Sequence, residues 1–337
     1  MSWKEMAREA GFARSLLAKR PFDVYLQVTN RCNMKCSFCE FPAKAATPKE
    51  ELTLDEFRAV SRQLSEMGRM LISIEGGEPF VRGDLVDIVR AFSDDHIVVV
   101  YTNGWYVTPE NAKELFAAGM TQVGVSIDFP DQRHDAKRAL PGSFERAARA
   151  VELFRDAAPH GGKQVHVMTV LMKENQDDVE PLLQWTAERR VGHVFTLYSD
   201  QGSHRGKGVD RRPSAPIGEK LAALWDKYSH WRFFRGYYEK MDDYLEGRAM
   251  PVCRAGMQTF NIDHVGNVAA CIEKIDKPAG NVRNEPLAEI HRRLAADRAE
   301  IERCQDCWTA CRGFGQSLGN GPPLRSWWQL STRMRSR

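Results

Sequence analysis

From Phe22 to Val28 the chain alternates apolar and polar side chains with a period of two, the pattern of a strand whose two faces meet different surroundings. Met70–Ile74, Ile97–Tyr101, Gln122–Ile127, Val165–Val170 and His193–Tyr198 read as five further strands. Ile97–Tyr101 is an unbroken apolar run, as expected of a parallel strand covered on both faces. Between the strands apolar residues recur at helical spacing. Phe57, Val60, Leu64 and Met67 follow a Thr53–Glu56 capping box, and Thr108-Pro109 opens another helix. Phe144, Ala147, Ala148, Val151 and Phe154 form a third stripe, and a further helix is expected around 177–189. Six strand–helix units in series predict an α/β fold with a parallel barrel, closed or open, and active-site residues at the C-terminal ends of its strands.

The pattern changes near Pro213 and Pro216. Helical spacing returns at Leu221, Leu224 and Trp225, and a β-hairpin is expected around His264-Val-Gly266, ending at Cys271. The expected organisation is an N-terminal amphipathic helix over 1–20, the barrel over 21–215, a helical linker over 216–250, a small cysteine-bearing domain over 251–315 and a basic tail over 316–337. Trp231–Tyr238 is rich in aromatics, which either pack the core or line a substrate wall.

An apolar content of 42% in 337 residues supports a substantial core. The formal net charge of +3 is too near neutral to argue for a nucleic-acid partner by itself, and none is expected. No secretory h-region follows Met1, and no apolar run is long enough to span a bilayer. The eight cysteines are too sparse for a disulfide scaffold, and they cluster. Clustering points to metal and a reducing compartment, so the expected location is the cytoplasm.

Cys32, Cys36 and Cys39 stand just past the first strand at C-x3-C-x2-C spacing. Three thiolates serve three irons of a four-iron cluster and leave the fourth open to a small molecule. Zinc completed by another ligand is the alternative for the same donors. With Phe38 before the last cysteine, the segment resembles the signature of the radical S-adenosylmethionine (SAM) enzymes. The resemblance implies a partial (β/α)6 barrel, a SAM-binding [4Fe–4S] cluster, and SAM itself chelated on the open iron. It also implies an electron donor such as flavodoxin or ferredoxin.

The strand ends extend it. Gly76-Gly77-Glu78-Pro79 after the second strand is similar to the family's GGEP turn, whose backbone receives the SAM amino group. Asn103, after the third strand, is also familiar there. Ser126 and Asp128 end the fourth strand where relatives touch the SAM ribose or carboxylate, and Arg138 resembles the arginine aimed at that carboxylate. The stretch holding Arg205, Lys207, Arg211 and Arg212 reads as a solvated connection or as an anion site for an anionic small substrate.

Cys253, Cys271, Cys304, Cys307 and Cys311 form a second group, with Gly266-x4-Cys271 as part of the pattern. It resembles the SPASM and twitch extensions that hold auxiliary [4Fe–4S] clusters; four thiolates on zinc are the alternative. The expected ligands are Cys253, Cys271, Cys304 and Cys307. Cys311 replaces one of them or stays free, in which case it can return a hydrogen atom to a substrate radical. The expected activity is oxidation or epimerisation of a small metabolite by a 5′-deoxyadenosyl radical. A peptide-modifying maturase and a non-catalytic iron–sulfur or zinc protein are the alternatives.

Overall fold

The computed structural model describes residues 3–202 and 210–319, so Arg205, Lys207 and most of the basic tail lie outside the described residues. Its strands are β1 (Asp23–Thr29), β2 (Leu71–Gly76), β3 (Ile97–Thr102), β4 (Gln122–Ser126), β5 (Val165–Leu171), β6 (Gly192–Leu197), β7 (Thr259–Ile262), β8 (Asn267–Ala269) and β9 (Gly280–Asn281). They form one sheet in the order β6-β5-β4-β3-β2-β1-β7-β8-β9. β1 to β6 pair in parallel, each with its successor, and helices separate them in sequence. This is the expected partial barrel.

Alternation along the strands decides which side chains meet the helices. Val24, Leu26, Val28, Ile72, Ile74, Val98, Val100, Val123 and Val125 are buried in the main core with Phe57, Val60 and Leu64 of the helix Leu54–Met67. Burial of each large apolar side chain stabilises the fold by about 1.5–3 kcal/mol. The capping boxes Thr53–Glu56 and Thr108–Asn111 start their helices. Intervening residues point inward: Asp23 and Tyr25 of β1, Ser73 and Glu75 of β2, Tyr101 of β3 and His166 of β5 line a central cavity of about 630 Å³.

The hairpin expected around Gly266 is β7–β8, and it does not stand apart from the barrel. β7 pairs in parallel with β1, Asp23 opposite Thr259, and β8 and β9 continue antiparallel. The helix Ala310–Gly319 then spans from β6 to β1: the Ala310 amide donates to Thr196 Oγ1 at 3.0 Å, and Tyr25 Oη donates to the Cys311 carbonyl at 3.4 Å. Gly313 permits the crossing, because a Cβ there would lie 2.1 Å from the Tyr237 ring. Below the barrel, Phe12 and Leu16 of the helix Trp3–Leu17 pack on Phe22.

The aromatic stretch is mostly core. Trp231, Phe234, Tyr237 and Tyr238 are buried, and the hydroxyls of Tyr237 and Tyr238 accept from the amides of Leu197 and Phe195. Arg232 and Phe233, between them, turn into the barrel cavity. Among the described residues no helix is long and apolar enough to cross a membrane.

Candidate active site

Cys32, Cys36 and Cys39 follow β1 and line the upper end of the cavity. Asn30 closes their loop: its Nδ2 donates to Lys44 O at 2.7 Å and its Oδ1 accepts from Ala46 N at 2.8 Å. Gly76 (φ +136°) and Gly77 let β2 close on this loop, since a Cβ on either would lie within 2.2 Å of the Thr29 or Arg31 carbonyl. The Gly77 and Glu78 amides donate to those same carbonyls.

Glu51 fastens the base of the loop and has no sequence motif to announce it. It is 2% exposed, receives Arg31 Nε and Nη2 at 2.9 Å each, and meets Thr29 Oγ1 and Arg82 Nη1. Burial alone would raise its pKa, but the Arg31 and Thr29 hydrogen bonds hold it below the ordinary value. Removing one member of a buried ion pair strands the other. Glu51→Ala is therefore expected to cost about 3 kcal/mol of stability and to reduce cluster retention, read as a lower melting temperature and less iron per chain.

The thiols suit a cluster better than a single ion. Among the described residues no three Cys, His, Asp or Glu side chains gather closely enough to share one metal ion. Zinc thiolates all sit about 2.3 Å from one centre, whereas cluster thiolates sit on separate irons. Burial pushes the Cys32 thiol up to about 12 and raises Cys36 as well, so a bound cation would favour their ionised form.

The expected SAM residues fall beside this loop, with their work divided. Glu78 is fully buried, and its carboxylate accepts from Phe80 N, Thr102 Oγ1 and Asn103 N at 3.1, 2.8 and 2.6 Å. It thereby fixes the end of β3, while the loop offers its backbone to the cavity. Pro79 begins a short 3-10 turn behind it. Asn103 Nδ2 donates to Asn33 Oδ1 at 2.9 Å and approaches Cys32 Sγ at 3.7 Å. Ser126 and Arg138 line the cavity.

Asp128, expected near the SAM ribose or carboxylate, is held by protein donors. Its carboxylate takes Arg138 Nε and Nη2 at 2.8 and 2.7 Å and Val170 N at 3.0 Å, and it is wholly buried. Three donors occupy the carboxylate, and two of them belong to Arg138, which it holds in position. Arg138 Nη1 lies 4.0 Å from Cys36 Sγ, and the guanidinium stacks over Phe38 at 5.2 Å. Burial would lower the arginine's pKa, yet Asp128 and Cys36 leave it above the ordinary value.

Deeper in the barrel, charge is segregated. Asp23 and Glu75 stand on β1 and β2, whereas His166 on β5 and Arg232 stand across the cavity. Asp23 is 1% exposed, and burial raises its pKa to about 7. His166 is pushed down to about 3 by burial and then by Arg232, so it is neutral. The Arg232 stem packs on Gly192, where a Cβ would lie 2.2 Å from its Cγ. None of these residues belongs to a spaced motif; only inward strand phase could have marked the first three.

A second chamber of about 190 Å³ is lined by Cys253, Cys271, Cys304 and Cys307. Arg312 braces it, donating to Cys307 O at 3.0 Å and Pro251 O at 2.7 Å. These four thiols sit in one another's electrostatic field: Cys271 feels Cys307 and Cys253, and Cys304 feels Cys253. Cys311 differs. Burial pushes its thiol well above the ordinary range, and the charges acting on it are chiefly Glu75 and Asp23 of the barrel. Cys311, Tyr25, Ile272 and Thr309 line both chambers and form the wall between them.

Of the four residues read as a solvated connection or an anion site, Arg211 and Arg212 are among those described. Arg211 pairs with Glu174 at 2.7 Å and donates to Ser37 O at 3.3 Å, which braces the cysteine loop. Arg212 pairs with Asp210 at 3.0 Å. Both guanidiniums are engaged by carboxylates.

A profile of the radical SAM superfamily matches residues 26–186, and one of the SPASM iron–sulfur cluster-binding domain matches residues 253–308. The chain is 27% identical over 302 residues to an AdoMet-dependent heme synthase of Nitratidesulfovibrio vulgaris, covering 79% of this chain and 77% of that one. It is 29% identical to the mycofactocin maturase MftC of Mycolicibacterium smegmatis, covering 90% and 79%. It is 30% identical to a GTP 3′,8-cyclase of Cronobacter sakazakii, covering 72% and 71%. The solved structure of native anSMEcpe with bound AdoMet superposes with a TM-score of 0.64 at 18% identity, covering 93% of this chain and 97% of that one, a likeness of fold.

Proposed function

Because the chain belongs to the radical SAM superfamily and carries a SPASM cluster-binding domain, we propose that it oxidises a small polar metabolite by removing two hydrogens within the barrel. Its cofactors are SAM, a SAM-binding [4Fe–4S] cluster held by Cys32, Cys36 and Cys39, and an auxiliary cluster. When bound, SAM on its cluster supplies a 5′-deoxyadenosyl radical that takes a hydrogen atom, and the auxiliary cluster supplies an acceptor for one electron. Cys253, Cys271, Cys304 and Cys307 are its proposed ligands. A cytoplasmic flavodoxin or ferredoxin is the proposed electron donor.

One observation carries the reading: the barrel cavity and the auxiliary chamber share the wall formed by Tyr25, Ile272, Thr309 and Cys311. A substrate in the barrel thus lies against the electron acceptor's chamber. Arg138 and Asn103 hold the cofactor end of the cavity, with Asp128 and Glu78 locking each in place. Glu75, which lines the barrel cavity, is the proposed acceptor of the proton that leaves as the substrate is oxidised. The relatives named for heme and GTP support a small-molecule substrate.

Cys311 favours a second reading. A thiol that lines the barrel cavity as well as the second chamber can return a hydrogen atom, and the outcome is then epimerisation with no net oxidation. Product mass separates the two. Oxidation is expected to lower it by two hydrogens and to persist in Cys311→Ala; epimerisation leaves mass unchanged, brings in deuterium from heavy water and stops in that variant. Turnover of a peptide with none of any metabolite overturns both readings, and the maturase relative makes that a necessary control.

A further inference from the structure

The floor of the barrel holds a carboxylate that the chemistry above leaves idle. Asp23 is 1% exposed and faces the cavity; the Tyr25 and Ser73 hydroxyls attend its carboxylate, yet its Oδ1 has no hydrogen-bond partner among the described residues. A buried carboxylate oxygen without a donor is costly, so such a group persists where a ligand supplies the partner. No lysine or arginine among the described residues forms an ion pair with Asp23. Of the two arginines lining the cavity, Arg138 is paired with Asp128 at the cofactor end, and Arg232 stands on the wall beyond β5 beside neutral His166. Positive charge in a ligand is therefore drawn to the β1–β2 wall and repelled from the facing one.

Depth gives the second coordinate. Gln27, not Asp23, lies opposite Glu75 in the β1–β2 register, so Asp23 sits below Glu75. Tyr25, one inward position above Asp23, meets the Cys311 backbone. A ligand anchored at Asp23 therefore extends upward past Cys311 and Glu75 toward the cysteine loop. We propose that Asp23 anchors a cationic amino group, so that the substrate is a small primary amine held with its ammonium on the barrel floor and its reacting carbon above, toward Glu75 and Cys311. The proposal rests on the barrel cavity being the substrate site.

Cys311 reports on this field without any substrate in hand. The protein with both clusters loaded and SAM withheld is treated anaerobically with 2-aminoethyl methanethiosulfonate, its anionic sulfonatoethyl analogue, or neutral methyl methanethiosulfonate. In each case the thiolate attacks the sulfenyl sulfur, forms a mixed disulfide and expels methanesulfinate. Labelling of Cys311 is timed by peptide mass spectrometry and normalised to the neutral reagent. The cation is expected to outpace the anion by about tenfold or more, the effect of a nearby carboxylate at intermediate dielectric. Asp23→Asn is expected to bring the ratio to within about threefold, and Asp23→Glu to keep it. A wild-type ratio near one, a ratio unchanged in Asp23→Asn, or no labelling of Cys311 overturns the proposal. If Asp23→Asn does not retain iron, the wild-type ratio decides alone. The reaction forms no 5′-deoxyadenosine, so its failure is read separately from a failure of SAM cleavage.

Discussion

Cys36→Ala is expected to reduce 5′-deoxyadenosine formation by at least about a thousandfold, more than 4 kcal/mol of barrier, while leaving about half of the iron in place. The thiol is one of three on the loop after β1, and its neighbour Arg138 Nη1 lies 4.0 Å away. With two thiolates left, the cluster that presents SAM has no stable seat. The other four cysteines surround a separate chamber, walled off by Tyr25, Ile272, Thr309 and Cys311. Two four-iron clusters imply about eight irons per wild-type chain and about four in the variant. Iron is counted after anaerobic reconstitution, and 5′-deoxyadenosine is measured with SAM and a strong reductant. Full loss of iron would mean that the second chamber holds none, and undiminished 5′-deoxyadenosine would remove Cys36 from the site. The same count on Cys311→Ala, expected at about eight, separates a free thiol from a fifth ligand.

The barrel strands were legible because each faces two environments. Val24, Leu26 and Val28 meet helices, while Asp23 and Tyr25 meet the cavity, and that contrast is written as alternation. The first cysteine loop was legible because its donors are local, within eight residues from Cys32 to Cys39. What escaped the sequence depends on partners far along the chain. Glu51 meets Arg31 and Arg82, and nothing around it distinguishes it from its neighbour Glu50. β7 could be read as half of a hairpin, but its parallel seat on β1 joins segments more than two hundred residues apart. Arg232 sits in a run whose other aromatics are core, and only the open space over Gly192 turns it inward. The direction of the Asp128 carboxylate was equally hidden, because Arg138 and Val170 reach it through the fold.

The Asp128–Arg138 pair separates stability from cofactor binding. Asp128→Asn keeps the shape of the side chain but leaves the Arg138 guanidinium, 8% exposed, without a counter-charge. That variant is expected to lose about 3 kcal/mol of stability, seen as earlier unfolding of the anaerobic holoenzyme. Arg138→Met removes the buried cation itself; Asp128 keeps its hydrogen bond from Val170 N. The substitution strands the fully buried Asp128 carboxylate, so its stability loss is expected to be of similar size, and SAM also loses a charge-assisted hydrogen bond of about 2 kcal/mol, about thirtyfold in Kd. The double variant Asp128→Asn/Arg138→Met is expected to regain most of the stability and none of the affinity, because two groups in one buried network do not contribute additively. Calorimetric titration with SAM and unfolding of the same preparations test this together. Wild-type SAM affinity in Arg138→Met would place the cation's role in holding Phe38 and the cysteine loop, over which it stacks at 5.2 Å, rather than in holding the cofactor.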